Sequence, residues 1–454
     1  MKVKLLLGYI LIIMIAFSSI SKLNGEENID KQQIFVDDDA DSSWYDETHV
    51  RTIQEGIDNA SIGDTVFVYN GTYFERIVIN RSINLIGENK LETVIENNGA
   101  SLDIISVQSD NMIIQNLTCR NSKNDRAINL VGRKNVTIEN CIFHDVEYGI
   151  NLKNSAYAII QNCSFDDVSY YAIYATLSST YSYSYGHIIS DCSFLNTSCG
   201  LSIFALPPFS YLNHFNDSFI INNTFISNIN AIQMLADNVN GDDTPSIYNN
   251  IFKGNSFLNN EVGIYFLNSK YDNNTFYLNN FINNIDDTKY GQYGSWDNGT
   301  HGNYWDTYTG IDADGDGVGD TPYLVNGTTF DNYPLINPNG DIPLFNPVAD
   351  FGFMPESPFT TDEINFTDNS YDIDGSIVNW TWDFGDGNTS FNQNPIHQYV
   401  NPGNYSVCLN VIDDDGFSDE ICKQITVIEI SEEIDVNQST FDRGFPIRHA
   451  LDGD

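Results

Sequence analysis

Four aspartates around residue 315 have the spacing of a calcium-binding loop. Carboxylates occupy loop positions 1, 3, 5 and 9, and a glycine occupies position 6. Position 12 is Tyr323 instead of a bidentate glutamate, so the site should be weak unless Asp306 or Asp331 contributes; a solvated acidic turn is the alternative. The predicted Ca²⁺ ligands are four side chains and one main-chain carbonyl: Asp312, Asp314, Asp316, Asp320 and the carbonyl of Val318.

A second acidic group could supply a general acid and base. Asp166 and Asp167 follow an aromatic residue, and His144 and Asp145 occupy the same place one repeat earlier. Paired carboxylates suit the hydrolysis of glycosidic bonds, and a carboxylate beside a histidine suits proton transfer. Asp145, Asp166 and Asp167 are therefore the candidate catalytic residues, although all three could equally be ordinary turn residues.

Five of the seven cysteines fall into two groups. Cys408 and Cys422 lie symmetrically about an Asp-Asp-Asp-Gly turn, so a hairpin would place them opposite each other and a disulfide is predicted. Cys141, Cys163 and Cys192 share one repeat position. Parallel Cβ vectors disfavour a bridge there, which predicts a stack of buried thiols.

Charge and composition exclude several partners. The net charge of -42 would repel a phosphate backbone, so no nucleic-acid partner is predicted. No arginine lies between Arg133 and Arg443, which leaves an acidic polysaccharide with few cationic contacts. Copper sites need clustered Met and Cys or grouped His, and neither occurs, so no copper is predicted.

The elements that must position these residues form a repeat. An apolar repeat near 22 residues with three short strands per unit is typical of one coil of a right-handed parallel β-helix, whose coils stack about 4.8 Å apart. Longer intervals are the same coil with a surface loop. The repeat is marked by a column of phenylalanines: Phe143, Phe165, Phe194, Phe225, Phe257 and Phe281.

Two further patterns belong to this solenoid. An amphipathic segment at residues 48–60 predicts a helix that covers the first coil. Asparagines recur at the turn before the Phe column, where they are expected to adopt left-handed geometry and to form an inward amide ladder. These asparagines are Asn116, Asn140, Asn162 and Asn222.

The predicted organisation begins with a signal peptide at 1–25, with an uncleaved anchor as the alternative. A parallel β-helix at 30–338, a linker at 339–345, a second domain at 346–430, and a tail or truncated start of another module at 431–454 follow. No membrane span is predicted in the mature chain, which we expect to be secreted or on the cell surface. Export makes these sequons candidate glycosylation sites: Asn70, Asn80, Asn298, Asn326, Asn388 and Asn404.

Several segments resemble the NosD-like β-helix family of pectin-lyase-like folds, common in archaeal surface proteins. The resemblance rests on TIQEGIDNA, GDTVFVYNGTY, INRSINLIGEN, the coils, and the closing GNYWDTYTGIDADGDGVGDTPY. This resemblance implies the β-helix fold of the first domain. Residues 372–387, with the sequence DIDGSIVNWTWDFGDG, and the following HQY and PGNYSV resemble a PKD domain, which implies an Ig-like β-sandwich. The expected fold class is therefore all-β.

Three functions fit these features. The first is a non-catalytic surface protein that binds extracellular glycan or a cell-surface protein, because tyrosines and Phe209 crowd the loops and the sequence has no nucleophile and base at motif spacing. The second is a polysaccharide lyase or hydrolase that uses the acidic group. The third is a purely structural or adhesive surface-layer component. The loop aromatics are Tyr170, Tyr171, Tyr181, Tyr183, Tyr185, Phe209 and Tyr211.

Overall fold

The structure is a computed structural model. It describes residues 31–97, 103–177, 182–205, 213–236, 247–267, 271–291, 293–340, 346–372 and 375–429. The chain divides into two compact units, Met1–Pro343 and Leu344–Asp454. The predicted signal peptide, the C-terminal tail and most of the predicted linker lie outside the described residues.

Parallel strands dominate the first unit and confirm the predicted β-helix. The first sheet contains His49–Val50, Gln33–Val36, Thr65–Val68, Asn84–Gly87, Met112–Gln115, Val136–Glu139, Ile159–Gln161, Ile188–Ser190, Phe219–Ile221, Ile251–Lys253 and Thr275–Tyr277. The third contains Ser182–Tyr185, Asn213–Asn216, Ile247–Tyr248 and Tyr271–Asp272.

The second sheet is the largest of the described part of the chain. Its strands are Gly71–Tyr73, Ile77–Ile79, Thr93–Glu96, Ile105–Val107, Thr118–Leu130, Ile142–Asn151, Ser164–Thr176, Ser193–Leu195, Cys199–Ala205, Thr224–Ile226, Asn230–Ala236, Ser256–Leu258, Val262–Leu267, Asn280–Ile282, Asp286–Lys289 and Tyr304–Trp305. A hairpin of Tyr323–Asn326 and Thr329–Asp331 follows.

The predicted Phe column is a continuous stack inside the solenoid. Neighbouring rings lie 4.5 to 5.2 Å apart and nearly parallel from Phe143 to Phe281. Trp305 extends the stack at 4.3 Å and Tyr323 at 4.7 Å. Gly149, six residues after Phe143, is also required by packing, because a Cβ there would lie 2.3 Å from the carbonyl oxygen of Ala172.

The helix at the N-terminus is shorter than predicted and spans Ile53–Asn59. Thr52 caps it by accepting a hydrogen bond from the Glu55 amide, so the helix cannot begin at residue 48. Val50 instead lies in a strand beside Gln33–Val36. Ile53 and Ile57 are buried against the first strands, as the amphipathic pattern required.

The inward asparagine ladder exists, but the prediction named the wrong residue of each turn. Asn116, Asn140, Asn162 and Asn222 do have positive φ, from 52° to 58°, but their side chains are half-buried or exposed. The next residue of each turn points inward. In the later coils this residue is asparagine, as in Asn223, Asn255, Asn279 and Asn303.

Each inward asparagine connects adjacent coils. The main-chain N and the Nδ2 of Asn223 both donate to Asn255 Oδ1 at 3.0 Å, and Asn223 Nδ2 also donates to the Ile189 carbonyl. Two other corners repeat the pattern, with Asn228, Asn260 and Asn284 in one and Asn250 and Asn274 in the other. The buried backbone of these turns is thereby satisfied by side chains.

Thiols replace the amides in the earlier coils. Cys141, Cys163 and Cys192 are free and buried, and each Sγ lies 3.7 to 3.9 Å from a carbonyl oxygen equivalent to that of Ile189. The predicted thiol stack is therefore the beginning of the same column that becomes asparagine later.

The last rung of this column ends on a buried carboxylate. Asp331 Oδ2 accepts hydrogen bonds from Asn303 N at 2.7 Å and Trp305 Nε1 at 2.9 Å, and its Oδ1 accepts from Tyr333 N. Burial raises the pKa of Asp331 to about 6. The hydrogen bonds from these donors act in the opposite direction and lower the pKa. A Cβ on Gly302 would lie 1.7 Å from Asp331 Oδ1, so this close approach requires glycine.

The second unit is an antiparallel sandwich around Trp382, which is fully buried with Phe351 and Leu409. One sheet contains Phe351–Met354, Ile364–Asp368 and Ile396–His397. The other contains Thr389–Ser390, Ile377–Asp383, Gly403–Asp413 and Ser418–Val427.

Candidate functional site

His144 and Asp166 face each other on the outside of the second sheet. They are register partners in adjacent coils, and His144 Nδ1 lies 3.1 Å from Asp166 Oδ2. One ligand atom from each of His144, Asp166 and Asp167 falls within 4.8 Å of the others. Burial raises the pKa of Asp166, and the charge of Asp167 adds to that rise. This group could exchange a proton with a bound molecule.

The two neighbouring aspartates are turn residues. Asp145 and Asp167 have φ of 50° and 52°, and both side chains are exposed. Asp167 Oδ1 accepts a hydrogen bond of 2.6 Å from Asn196 Nδ2 in the next coil. Asp145 does not belong to the group formed by His144, Asp166 and Asp167. The geometry at Asp145 and Asp167 is therefore that of the solenoid corner.

The structure brings three of the predicted calcium ligands together. One carboxylate oxygen from each of Asp312, Asp314 and Asp316 lies within 4.8 Å of the others. Main-chain hydrogen bonds, chiefly from Gly317, lower the pKa of Asp312, whereas the charge of Asp316 raises the pKa of Asp314. These carboxylates repel one another, and a cation would relieve that repulsion.

The other residues of this loop point elsewhere. Asp320 Oδ2 accepts a hydrogen bond from Ala313 N, and Val318 pairs with Leu335. Asp331 is buried at the end of the asparagine column, and Asp306 Oδ2 accepts from Asn283 N. Neither Asp306 nor Asp331 therefore replaces the missing ligand at position 12.

We predict that calcium raises the thermal midpoint of the β-helix. Calcium at ten times its Kd would stabilise the folded state by about 1.4 kcal/mol, because it binds carboxylates that are clustered only after folding. Calorimetry in 10 mM calcium tests this, and the double variant Asp312→Asn/Asp316→Asn should lose the response. An equal midpoint with and without calcium would contradict the prediction.

Tyrosines cluster beside the acidic group on the same sheet. Tyr171 and Tyr174 stack at 4.7 Å, and Tyr148 stacks on Tyr170 at 5.5 Å. Phe204 lies 6.2 Å from Tyr174. Tyr170 is 51% exposed. The phenolic hydroxyls of these four tyrosines form no hydrogen bond with a described residue. This surface, the tyrosine cluster, offers flat rings together with polar groups.

The sequence pattern found only part of this cluster. Tyr170 and Tyr171 were predicted as loop aromatics, but both lie in the strand Ser164–Thr176. Tyr148 and Tyr174 were missed; alignment of the repeats beyond the Phe column would have placed them on the same outer surface. Tyr185 instead contacts Tyr157 at a different corner. Tyr181, Phe209, Tyr211 and the side chain of Tyr183 lie outside the described residues.

The candidate glycosylation sites lie at the surface. Asn70, Asn80, Asn298, Asn388 and Asn404 are exposed, and Asn326 is half-buried in the hairpin. Several of these side chains already make local hydrogen bonds. Asn298 Oδ1 accepts from Thr300 N, and Asn404 Oδ1 accepts from Thr426 Oγ1.

Two aspartates of the second unit stabilise turns by accepting hydrogen bonds from main-chain amides. Asp383 Oδ1 accepts from Gly385 N, and Asp386 Oδ1 accepts from Asn388 N. Asp386 Oδ2 also lies 2.9 Å from His397 Nε2. The imidazole of His397 stacks on Phe384 at 4.1 Å.

Cys408 and Cys422 are joined by a disulfide across the last hairpin. They are register partners with Cα atoms 4.1 Å apart. They lie on the side of the sheet opposite Val407 and Leu409, which are buried.

We predict that reduction destabilises the second unit by about 3 kcal/mol, because the disulfide restricts the unfolded chain over a loop of 14 residues. Calorimetry with and without dithiothreitol measures the shift. The double variant Cys408→Ser/Cys422→Ser should show the lower midpoint in both conditions. A midpoint that is unchanged by reduction in the parent chain would refute the prediction.

Within the described residues, no helix is long and apolar enough to cross a membrane.

Family comparisons match a segment of each unit. Residues 77–240 match the family described as right handed beta helix region, and residues 345–428 match the PKD domain family. Collagenase ColQ1 of Bacillus cereus is 48% identical over 61 residues, which make up 13% of this chain and 6% of that protein.

Two relatives concern the solenoid. The probable ABC transporter binding protein NosD of Pseudomonas aeruginosa is 39% identical over 85 residues, or 18% of this chain and 20% of that protein. The pectin methylesterase structure from Aspergillus niger covers 53% of this chain and 83% of its own, with 14% identity and a TM-score of 0.35. The chain thus spans only a small part of the curated relatives. It joins a right-handed parallel β-helix, similar in part to NosD, to a domain of the PKD family.

Proposed function

We propose that this protein is secreted or held at the cell surface, where it binds extracellular glycan without cleaving it. The tyrosine cluster is the observation that supports binding most directly. Aromatic faces pack against the apolar faces of sugar rings, and the free phenolic hydroxyls can bond to sugar hydroxyls. A neighbouring cell-surface protein is the second partner class of the proposal.

The charge of the chain favours a neutral glycan. The net charge of -42 repels acidic polymers, and Glu147 adds negative charge beside Tyr148 of the tyrosine cluster. A neutral sugar needs no cationic partner. An acidic one would need bridging metal at this surface.

The alternative of an enzyme rests on His144 and Asp166. Their contact and the raised pKa of Asp166 are features that a general acid needs. Against this, Asp167 is engaged by Asn196 as a corner residue, which leaves one carboxylate where glycosidases use two. A purely structural or adhesive role is the remaining alternative, and the similarity to collagenase ColQ1 covers only 61 residues, or 13% of this chain.

A glycan array tests the proposal, with the purified chain probed in the presence and absence of calcium. We expect retention of neutral glycans and no release of shorter products. Glycan cleavage that is abolished by Asp166→Asn or Asp167→Asn would replace this proposal with the enzymatic alternative. If no glycan is retained or cleaved, glycan binding is contradicted, and binding to a cell-surface protein or a structural role remains.

A further inference from the structure

The outer surface of the first sheet carries two aligned rows of side chains that continue through seven strands, from Met112–Gln115 to Thr275–Tyr277. The residues of both rows alternate along each strand with buried core residues, so they point out of the solenoid. One row contains Ile113, Thr137, Ile159, Ile188, Phe219, Ile251 and Thr275. The other contains Gln115, Glu139, Gln161, Ser190, Ile221, Lys253 and Tyr277. We name the two rows together the neutral face.

The neutral face differs from the rest of the chain in its charge. The chain has 62 acidic and 20 basic residues, whereas this face has one of each, Glu139 and Lys253. Its first row consists of isoleucine, phenylalanine and threonine alone, and every side chain of both rows is half-buried, so water still reaches them. A continuous apolar surface depleted of charge is typical of the centre of a protein–protein interface.

In the first coils, the chain covers the same surface of this sheet with its own aromatic residues. The ring of Phe35 stacks on His49 at 5.2 Å, and Trp44 from the following loop packs against His49 at 4.6 Å and Tyr69 at 6.1 Å. In the neutral face, Phe219 has no ring contact with another described residue. Burying the apolar row of the later coils therefore requires a partner.

The two charges of the neutral face lie at equal distances from its middle. Glu139, Gln161 and Ser190 are register partners in successive coils, and Ile221 and Lys253 continue the row in the next two. Ser190 is therefore two coils from each charge. A twofold axis along the strand that contains Ser190 would place a second copy face to face with its solenoid axis reversed. Glu139 of each copy would then face Lys253 of the other, so the ion pair would form twice.

The same rotation also matches the apolar row to itself. Ile188 lies beside Ser190 on the axis and would meet its own copy, whereas Phe219 would face Ile159, and Ile251 would face Thr137. With the two solenoid axes parallel, each charge would instead lie level with its own copy and lack an opposite partner. Charge complementarity therefore favours the antiparallel arrangement.

Both charged groups are available for such a contact. Glu139 Oε1 accepts a hydrogen bond of 2.8 Å from Gln161 Nε2, which holds the carboxylate on the face. Lys253 Nζ lies 5.9 Å from the ring centroid of Tyr277. Neither Glu139 nor Lys253 forms an ion pair with a described residue.

We propose that the chain forms a weak antiparallel homodimer through the neutral face. At the usual strand spacing the face is about 30 Å long, and two outward residues per strand make it roughly 12 Å wide. Each copy would cover on the order of 400 Å² of the other, which is small for a specific interface and predicts a dissociation constant of about 10 μM. The apolar row supplies the affinity, and the ion pairs fix the orientation. This association goes beyond the proposed function, because it involves no glycan.

Sedimentation velocity of the purified chain between about 1 and 100 μM tests the dimer, and the average mass should rise with a midpoint near 10 μM. Phe219→Asp should abolish association over this range, because it would bury a carboxylate in the apolar row. Lys253→Glu should weaken the dimer about fivefold or more. Lys289→Glu is the matched control, since it makes the same change of charge at an exposed residue of the second sheet and should leave the dissociation constant unchanged.

A charge swap tests the antiparallel orientation. Glu139→Lys should weaken the dimer as much as Lys253→Glu does, although it makes the chain less negative and so reduces the general repulsion between copies. The double variant Glu139→Lys/Lys253→Glu should restore the parental dissociation constant, because opposite charges again face each other. Each variant should keep the parental thermal midpoint, which shows that its effect is on association.

Three results would overturn the inference. The first is a parent chain that stays monomeric at every concentration. The second is a dimer that persists in Phe219→Asp, because that dimer would use another surface. The third is a double charge variant that associates no better than the two single variants, because the charges would then not face each other. All three are independent of whether the chain retains glycan on the array.

Discussion

Replacing Asp331 by alanine is expected to lower the free energy of unfolding of the β-helix by about 3 to 5 kcal/mol, because each of three donors left without an acceptor costs roughly 1 to 3 kcal/mol. The change leaves the amides of Asn303 and Tyr333 and the indole N–H of Trp305 buried without their acceptor. Asp331 is itself fully buried, so water cannot take its place without rearrangement. Calorimetry of the full chain measures the loss as a lower midpoint for the β-helix transition.

Asp331→Asn is the matched control for this result. Asparagine has nearly the same size and keeps one carbonyl acceptor, so it should lose less stability than alanine. Asp286→Ala, at an exposed position of the strand Asp286–Lys289, should change the midpoint little. Equal midpoints for Asp331→Ala and the parent chain would show that the last rung does not stabilise the solenoid.

Replacing Phe225 by alanine should destabilise the β-helix by about 3 to 5 kcal/mol, because it leaves a cavity in the middle of the ring stack. Phe225 is fully buried between Phe194 at 4.5 Å and Phe257 at 5.2 Å. The strands around it are short and pair only with neighbouring coils, so the cavity cannot close easily. Thermal unfolding followed by circular dichroism provides the measurement.

Two variants calibrate the size of this effect. Phe225→Leu retains most of the buried volume and should lose less than half as much. Phe330→Ala, on a ring that is 46% exposed in the hairpin, should cost little. A loss at Phe225 no larger than that at Phe330 would contradict the role assigned to the stack.

The fold was predictable because the repeat records the inward residues of each coil. Phe143 through Phe281 share a column in the sequence and a stack in the structure. The direction of the asparagines was not predictable in the same way. At Asn222-Asn223 the two adjacent residues are chemically identical, and only the backbone twist at the corner decides which one faces inward.

The candidate site was predictable where spacing within one loop is short. Asp312, Asp314 and Asp316 converge because three alternate residues of a tight turn cannot lie far apart. The alignment of Gln233 with Tyr265 on the second sheet was not predictable from local spacing, because the two residues are 32 positions apart and meet only through the register of adjacent coils. The buried position of Asp331 was not predictable for the same reason, since its partner Asn303 is 28 residues away in the sequence.

The change from thiols to amides along one corner of the solenoid should also affect how the solenoid resists stretching along its axis. The strands of each coil pair only with strands of adjacent coils, so tension along the axis passes through every junction in series and the weakest junction opens first. Junctions such as Asn255 to Asn279 add side-chain hydrogen bonds to the strand ladders, whereas Cys141 and Cys163 add only weak thiol contacts. Under stretching along the axis, this corner would therefore resist separation less in the N-terminal coils than in the C-terminal ones.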